Sequence, residues 1–310
     1  MIIKKILLLG GSGFVGTCVA EQLIARGYFV TVPTRLLKRA KHLLMLPTVD
    51  IVEADIHDET TLLNLAKQHD AVINLVGILH GDFEREHAAF PKRVAEICVQ
   101  AGVPRLIQMS ALNADINGPS QYLQSRGRGE AAVWAIAKAH PQLKVTMFQP
   151  SVIFGEHDAF LNMFMGLIKF FPVIPLGSPD AKFQPVWVGD VARAIAISIE
   201  TYETEGKTYP LVGPQVYSLK ELVEFIIGLS GKARAVIGLP ASLSILQAAV
   251  FEHLPGKLIT RDNLRSMQVP STSTIPFPAL FGPVSDMEST VRGYLKSNVG
   301  RAQYPRFRGD

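Results

Sequence analysis

The stretch Lys5-Ile-Leu-Leu-Leu-Gly-Gly-Ser-Gly-Phe-Val-Gly16 constrains this chain most. A short apolar run reads as a buried strand. Glycines follow at Gly10, Gly13 and Gly16, and Phe14 to Arg26 carries apolar residues at helical spacing. Strand, glycine turn and helix form the layout that seats a dinucleotide pyrophosphate. Glycines let backbone approach the phosphates. The helix start at Phe14, Val15 and Gly16 then offers free N–H groups and a partial positive charge.

β-rich runs follow at Tyr28–Val32, Val49–Val52, Ala71–Leu75, Arg105–Met109 and Val145–Phe148, with helical patterns at Asp58–His69, Val94–Gln100 and Gly129–Ala139. This rhythm predicts an α/β fold, a Rossmann-type doubly wound parallel sheet covered on both faces. Pro91 should kink the helix before the fifth strand or mark its first turn. The second half loses the rhythm. Helices are expected at Val188–Glu200, Leu219–Leu229, Leu243–Leu254 and within Gly282–Leu295. The organisation expected is a dinucleotide-binding domain over 1–150 and a smaller, interleaved C-terminal lobe over 151–298. Residues 183–200 should return to the main domain, and 299–310 form a basic tail.

The net charge of +4, from 31 basic and 27 acidic residues, is too mild and dispersed for nucleic-acid binding. Cys18 and Cys98 read as small buried apolar residues, and no pair has metal-ligand spacing. Lys4-Lys5 before Ile-Leu-Leu-Leu mimics a signal-peptide start, but the glycine loop follows at once, so it reads as the first strand. No segment supplies the ~20 apolar residues that span a bilayer. A cytoplasmic chain, at most peripheral to the inner membrane, is expected.

The spacing G-x-x-G-x-x-G resembles the short-chain dehydrogenase/reductase superfamily in its extended and atypical branches. The residue after the second strand that usually binds the adenine-ribose hydroxyls is acidic. Here Pro33-Thr-Arg-Leu-Leu-Lys-Arg39 has no acid, and Arg35 and Arg39 would share a face if the segment were helical. Arginine suits a phosphate through paired hydrogen bonds, which favours NADP(H). The resemblance further implies cofactor contacts from Asp55 and Ile56 after the third strand and from Asn74, Val76 and Gly77 after the fourth.

The superfamily's catalytic core resembles Ser…Tyr-x-x-x-Lys, and here Ser110 is followed by Tyr122-Leu-Gln-Ser-Arg126. A tyrosine with pKa near ~10 needs a neighbouring cation to act as acid or base near neutrality. Arg126 departs from the lysine. It keeps the charge but is bulkier and effectively permanently protonated.

More of the chain lines up in order: Asn74-Leu-Val-Gly-Ile-Leu, His87, Gly102-Val-Pro-Arg-Leu-Ile-Gln-Met-Ser-Ala-Leu and Tyr122-x-x-Ser-Arg-x-x-Gly-Glu. Gln149-Pro-Ser-Val-Ile-Phe-Gly-Glu-His-Asp158, Phe183-Gln-Pro-Val-Trp-Val-Gly-Asp-Val-Ala192 and Leu258-Ile-Thr-Arg-Asp-Asn-Leu264 follow. Together these resemble the atypical short-chain dehydrogenases related to the NADPH-binding accessory subunit of respiratory complex I, whose bacterial members stand alone. That resemblance places Pro150 and Val152 beside the nicotinamide, and implies weak or specialised oxidoreductase activity with a quinone or respiratory connection. An active reductase or epimerase on a sugar-like or ketone substrate, and a non-enzymatic NADPH-sensing scaffold, remain alternatives. His157 and Asp158 lie at the expected cleft mouth, where a histidine is more often structural than catalytic. Phe160 to Phe171 is crowded with Phe, Met and Leu. It reads as core, as a wall for a small apolar molecule such as a quinone, or as a surface for membrane or a protein partner.

Overall fold

The computed structural model describes residues 3–252 and 260–293. The expected basic tail, and Leu258 of the late motif, lie outside the described residues.

The first half alternates as its periodicity requires. β1 (Lys5–Leu9), α1 (Phe14–Ile24), β2 (Phe29–Thr34), β3 (Val49–Glu53), α2 (Glu59–Ala66) and β4 (Ala71–Asn74) come first. Then follow α3 (Phe90–Ala101), β5 (Arg105–Met109), α4 (Gln121–Ala139) and β6 (Lys144–Pro150). The second half contributes β7 (Ile153–Phe154), α5 (Ala159–Phe170), β8 (Val173–Gly177), β9 (Lys182–Phe183), β10 (Val186–Trp187) and α6 (Val188–Glu200). It ends with β11 (Lys207–Leu211), β12 (Tyr217–Ser218), α7 (Leu219–Ser230), β13 (Ala235–Leu239), α8 (Ala241–Phe251) and α9 (Arg261–Ser266). Residues 287–293 are helical.

Seven strands form one parallel sheet in the order β11-β6-β5-β4-β1-β2-β3. Its first six members in chain order have the 3-2-1-4-5-6 arrangement of a dinucleotide-binding fold. The chain reverses direction across the sheet between β1 and β4, so a crevice opens at their C-terminal ends. Pro210 lies in β11, an edge strand, where a missing N–H is tolerated.

Two apolar cores cover the sheet. One holds Ile6, Leu8, Val30 and Val32 with Val19 and Leu23 of α1 and Val191 and Ile195 of α6. The other holds Leu7, Leu9 and Val72 with Leu62 of α2, Val94 and Cys98 of α3 and Val133 of α4. Odd and even residues of β1 thus enter opposite cores, as strand geometry demands. Both cysteines are free thiols, and burial pushes the Cys98 thiol up to about 12. Pro91 sits in the first turn of α3, directly after a π-helical turn over Glu84–Ala89. A third core joins α5, β8 and α7 through Phe164, Ile168, Leu176, Leu222 and Ile226. The Phe/Met-rich segment therefore divides: Leu161, Phe164 and Ile168 are buried, while Phe170 and Phe171 face solvent.

Two glycines in helices should respond in opposite directions. A Cβ on Gly129 would lie 1.9 Å from the backbone oxygen of His87, whereas one on Gly166 would meet nothing within 4 Å. Gly129→Ala should force α4 away from the π-helical turn and destabilise by about 3 kcal/mol or more. Gly166→Ala should stabilise by about 0.5–1 kcal/mol. Urea denaturation of the two variants checks both signs.

Candidate functional site

The crevice begins at the glycine turn. Gly10 has φ +81, left-handed backbone that glycine adopts without strain. A Cβ at Gly16 would lie 2.3 Å from the Gly10 oxygen and 2.5 Å from Gly11 Cα. Only glycine allows α1 to start this close to the turn. Gly13 is the N-cap, no side chain caps the helix, and its first turn contains no acid. The N–H groups of Phe14, Val15 and Gly16 therefore point into the crevice end without an intrahelical acceptor. Gly10 also abuts β4: its Cβ would lie 3.3 Å from Val76 N.

Past β4, side-chain amides fix the backbone. Asn74 is fully buried. Its Nδ2 donates to Gln108 Oε1 at 2.9 Å, and its Oδ1 accepts from Val76 N at 3.1 Å. Gln108 Nε2 donates to Met109 O at 2.7 Å, and Arg126 Nη1 donates to the same oxygen at 3.3 Å.

Arg126 is the hub. Its guanidinium is buried, and a Cβ on Gly77 would lie 2.3 Å from Nη2 but 3.4 Å from Cζ, so the Nη2 end of the group occupies the space a side chain at Gly77 would need. Its Cζ is 5.5 Å from the centre of the Tyr122 ring, a cation–π contact. One turn further along α4, Glu130 accepts from Gln149 Nε2 at 2.8 and 3.0 Å. Burial raises the Glu130 pKa, against the opposing influence of Ser110, Gln149 and Arg126. Arg126 Nε has no hydrogen-bond partner, and Ser110 Oγ has none of ordinary geometry, although Glu130 lies close enough to feel it as a weak donor. Two orphaned buried polar atoms at the strand ends suit a polar ligand entering there.

Tyr122 is held from three sides. Its ring meets His87 edge-on at 5.3 Å and Phe83 at 5.8 Å. Its backbone N–H, with that of Gln121, donates to the Asp262 carboxylate of α9 at 3.0 and 2.8 Å. His87 Nε2 accepts from Ile78 N at 3.0 Å, which assigns the ring proton to Nδ1, 3.2 Å from Ser125 Oγ. Burial, and then the Arg126 charge, lower its pKa to about 3. His87 is thus neutral at ordinary pH.

The other expected residues are placed as follows. Arg35 directly follows β2, and Arg39 ends a 3-10 turn over Leu37–Arg39. The segment is not an α-helix, so the shared helical face is not present. Both guanidinium groups are exposed, and among the described residues neither has a hydrogen-bond or ion-pair partner. Asp55 is exposed and accepts from His57 N at 3.0 Å, while Ile56 packs against the second core. Pro150 O accepts from Leu112 N at 2.9 Å, and Val152 O from Val186 N at 3.0 Å. Phe14 reaches across to Gly155, whose Cβ would lie 3.0 Å from the ring. Asp158 caps α5 by accepting from Leu161 N, so it serves the fold. Glu130, Gln149 and Asp262 belong to the site without having been assigned to it from sequence. All three stand in the motif stretches quoted above, but only Glu130 carried a local spacing signal, four residues after Arg126 on one helix face.

A Rossmann sheet with this glycine turn at its switch point defines an NAD(P)-binding protein of the atypical short-chain dehydrogenase/reductase type. The chain belongs to the NAD dependent epimerase/dehydratase family, whose model matches residues 6–212. It is similar to NADH dehydrogenase [ubiquinone] 1 alpha subcomplex subunit 9, mitochondrial. The Mus musculus protein is 31% identical over 243 residues, covering 75% of this chain and 63% of that protein. The Rattus norvegicus protein is 28% identical over 284 residues, covering 88% and 74%. The chain therefore spans less than two thirds of the mouse relative. Among solved structures, Pal from Bacillus thuringiensis superposes with TM-score 0.70 at 15% identity, covering 94% of this chain and 99% of that one. A double mutant of DesIV, a dTDP-glucose 4,6-dehydratase from Streptomyces venezuelae with NAD and DAU bound, gives 0.66 at 20% identity, covering 76% and 84%. These structural likenesses establish the fold.

The neutral, buried His87 predicts an acid-sensitive fold. Its folded pKa of about 3 lies below the ordinary value of 6.5, so between the two the unfolded chain binds a proton that the folded chain refuses. This contribution is complete above about pH 6.5 and is lost as pH falls toward 3. At ~1.4 kcal/mol per unit it amounts to a few kcal/mol. His87→Gln should flatten the loss of stability between neutral pH and about pH 4 in urea melts. An unchanged slope would place the acid sensitivity elsewhere.

Proposed function

We propose that this chain binds NADP(H) and acts as a slow or specialised oxidoreductase on a small apolar acceptor of the quinone class, in a respiratory setting. The observation that carries this reading is Arg126, set against Gly77 and the Tyr122 ring in place of the family's lysine.

The uncapped α1 N-terminus and the glycine turn suit the pyrophosphate, and Asn74 fixes the Val76–Gly77 backbone along the expected path of the cofactor. Arg35 and Arg39 are exposed at the end of β2, free to pair with a 2′-phosphate. When bound, the cofactor supplies hydride. Tyr122 is the proton donor of this arrangement, and Ser110 orients the acceptor oxygen. Arg126 supplies positive charge beside Tyr122, but its planar head contacts the Tyr122 ring while its Nη2 end is directed at Gly77. A compact ammonium could direct its charge at the tyrosine oxygen and a ribose hydroxyl; this group cannot do so as well. Binding is preserved and proton transfer is weakened. The relatives named for a respiratory enzyme support the respiratory setting.

Two expected outcomes follow. Arg35→Asp should erase or reverse a preference for NADPH over NADH, worth on the order of 10-fold or more for a charge-assisted contact. Titration with both nucleotides reads this, and equal affinity of the natural chain for both would defeat the NADP(H) assignment. NADPH oxidation against a panel of quinones and ketones tests the chemistry. Arg126→Lys should raise turnover, and Tyr122→Phe should remove roughly 10²–10⁴-fold of it. Fast turnover by the natural chain, lost in Arg126→Lys, would make Arg126 a working catalytic group and refute the slow-enzyme reading.

A further inference from the structure

The C-terminal region carries an apolar surface that no element among the described residues covers. α5 ends in Phe170, 74% exposed, and Phe171, 54% exposed. They lead into β8, which pairs in parallel with β13, Val173 opposite Ala235 and Pro175 opposite Ile237. Ile174 and Leu176 point into the third core, so Val173 and Pro175 stand on the outer face, where Val173 and Ile237 are exposed. α8 lies across the far end of that same face: a Cβ at Gly177 would lie 3.2 Å from Ser244 Cβ, and Gln247 Nε2 donates to Pro175 O at 2.8 Å. Ser244 and Ala248 are the buried side of α8, and its outer side shows Leu246 at 60% exposure beside Ile245. Helix end, sheet face and helix face therefore look outward together.

Charge is distributed unevenly around this surface. Residues 159–179 and 225–251 contain Lys169, Lys232 and Arg234 and no Asp or Glu. All three cations gather at the Phe170 end. Lys169 Nζ lies 5.6 Å from the Phe170 ring centre, Lys232 Nζ donates to Lys169 O at 3.2 Å, and Arg234 Nε donates to Ile168 O at 2.9 Å. The acids that flank these stretches are Asp158, which caps α5, Asp180, Glu224, which pairs with Lys220 at 3.7 Å, and Glu252, which pairs with Arg261 at 3.0 Å.

We propose that this face docks on an anionic lipid bilayer, with Phe170, Phe171 and the outer residues of β8, β13 and α8 entering the interface and Lys169, Lys232 and Arg234 meeting the headgroups. A bilayer offers apolar depth and negative charge side by side, the pairing this surface presents. A second copy of the chain is a poor occupant, because a two-fold contact would set the cationic cluster against itself. Among the described residues no helix is long and apolar enough to cross a membrane, so this docking is peripheral. Asp158, the N-cap of α5, accepts from Gly155 N beside the Phe14 ring, and the 12 residues of α5 span roughly 18 Å. Docking would therefore hold the crevice mouth about that distance from the lipid surface, within range of an acceptor dissolved in it. The proposal does not depend on the cofactor assignment, since no nucleotide enters its test.

The test is flotation of the full chain with vesicles of phosphatidylcholine, alone or mixed with phosphatidylglycerol. Binding is expected to the mixed vesicles, weaker to phosphatidylcholine alone, and reversible by salt. The triple variant Lys169→Gln, Lys232→Gln, Arg234→Gln should partition about 100-fold less, from the attraction of three basic groups to an anionic surface. Phe170→Ser with Phe171→Ser should abolish binding to both vesicle types, while Met45→Ser, at another exposed apolar position, should leave it unchanged. If the triple variant unfolds, Phe170→Trp keeps the question answerable. Its added fluorescence should shift to the blue with mixed vesicles and be quenched by brominated acyl chains. No flotation with mixed vesicles, flotation unaffected by the phenylalanine changes, or a solution dimer that Phe170→Ser dissociates would each overturn the proposal.

Discussion

A parallel sheet must be covered on both faces, because its connections cross over it and its strands are apolar on both sides. That requirement organises this molecule. α2, α3 and α4 come from the first half of the chain and cover one face. The other face receives α1, and it is completed by α6, which arrives only at residue 188. The late segment is therefore part of the nucleotide fold, and β11 extends the same sheet at its edge. With both faces closed, the C-terminal strand ends are where backbone groups and polar side chains can meet a ligand.

At those ends the chemistry turns on a buried permanent cation. A guanidinium removed from water is costly unless its donors are met and its charge is balanced. Arg126 gives one hydrogen bond to a backbone oxygen, rests on an aromatic ring and has Glu130 one turn away, yet keeps an unpaired Nε. The same charge helps to keep His87 neutral. A neutral His87 can accept from Ile78 N and so fixes the chain just beyond Gly77. Through Arg126, one position on α4 thus reaches the tyrosine, a carboxylate and the loop after β4.

Much of the fold was legible because its signals are local. The apolar runs of β1 to β6 and the periodicity of α6 located these elements closely, and the glycine spacing identified the turn. What stayed hidden depends on distant partners. Lys207–Leu211 contains Pro210 and polar residues, so nothing local marks it as a strand; it forms because β6 offers an edge. No local signal marked β13 as a strand, and it forms by pairing with β8. Arg35 and Arg39 would share a face only if the segment were helical, and the chain instead breaks into two short 3-10 turns after β2. Glu130 was visible as a letter in a motif. Its partner Gln149 lies on β6, and no helical spacing links a helix residue to a strand.

The N-terminus of α4 illustrates how far this dependence reaches. Ser120 caps the helix by accepting from Leu123 N, as a local sequence allows. The Gln121 and Tyr122 N–H groups are satisfied by Asp262, and Ser266 donates to Ser120 Oγ at 2.8 Å. The helix that bears Tyr122 and Arg126 is thus finished by residues about 140 positions later in the chain. During synthesis, the strands of the sheet can pair long before α9 exists. α4 acquires its last backbone partners only when α9 docks, so the end of the sheet where Tyr122 and Arg126 sit matures in a step separate from assembly of the fold around it.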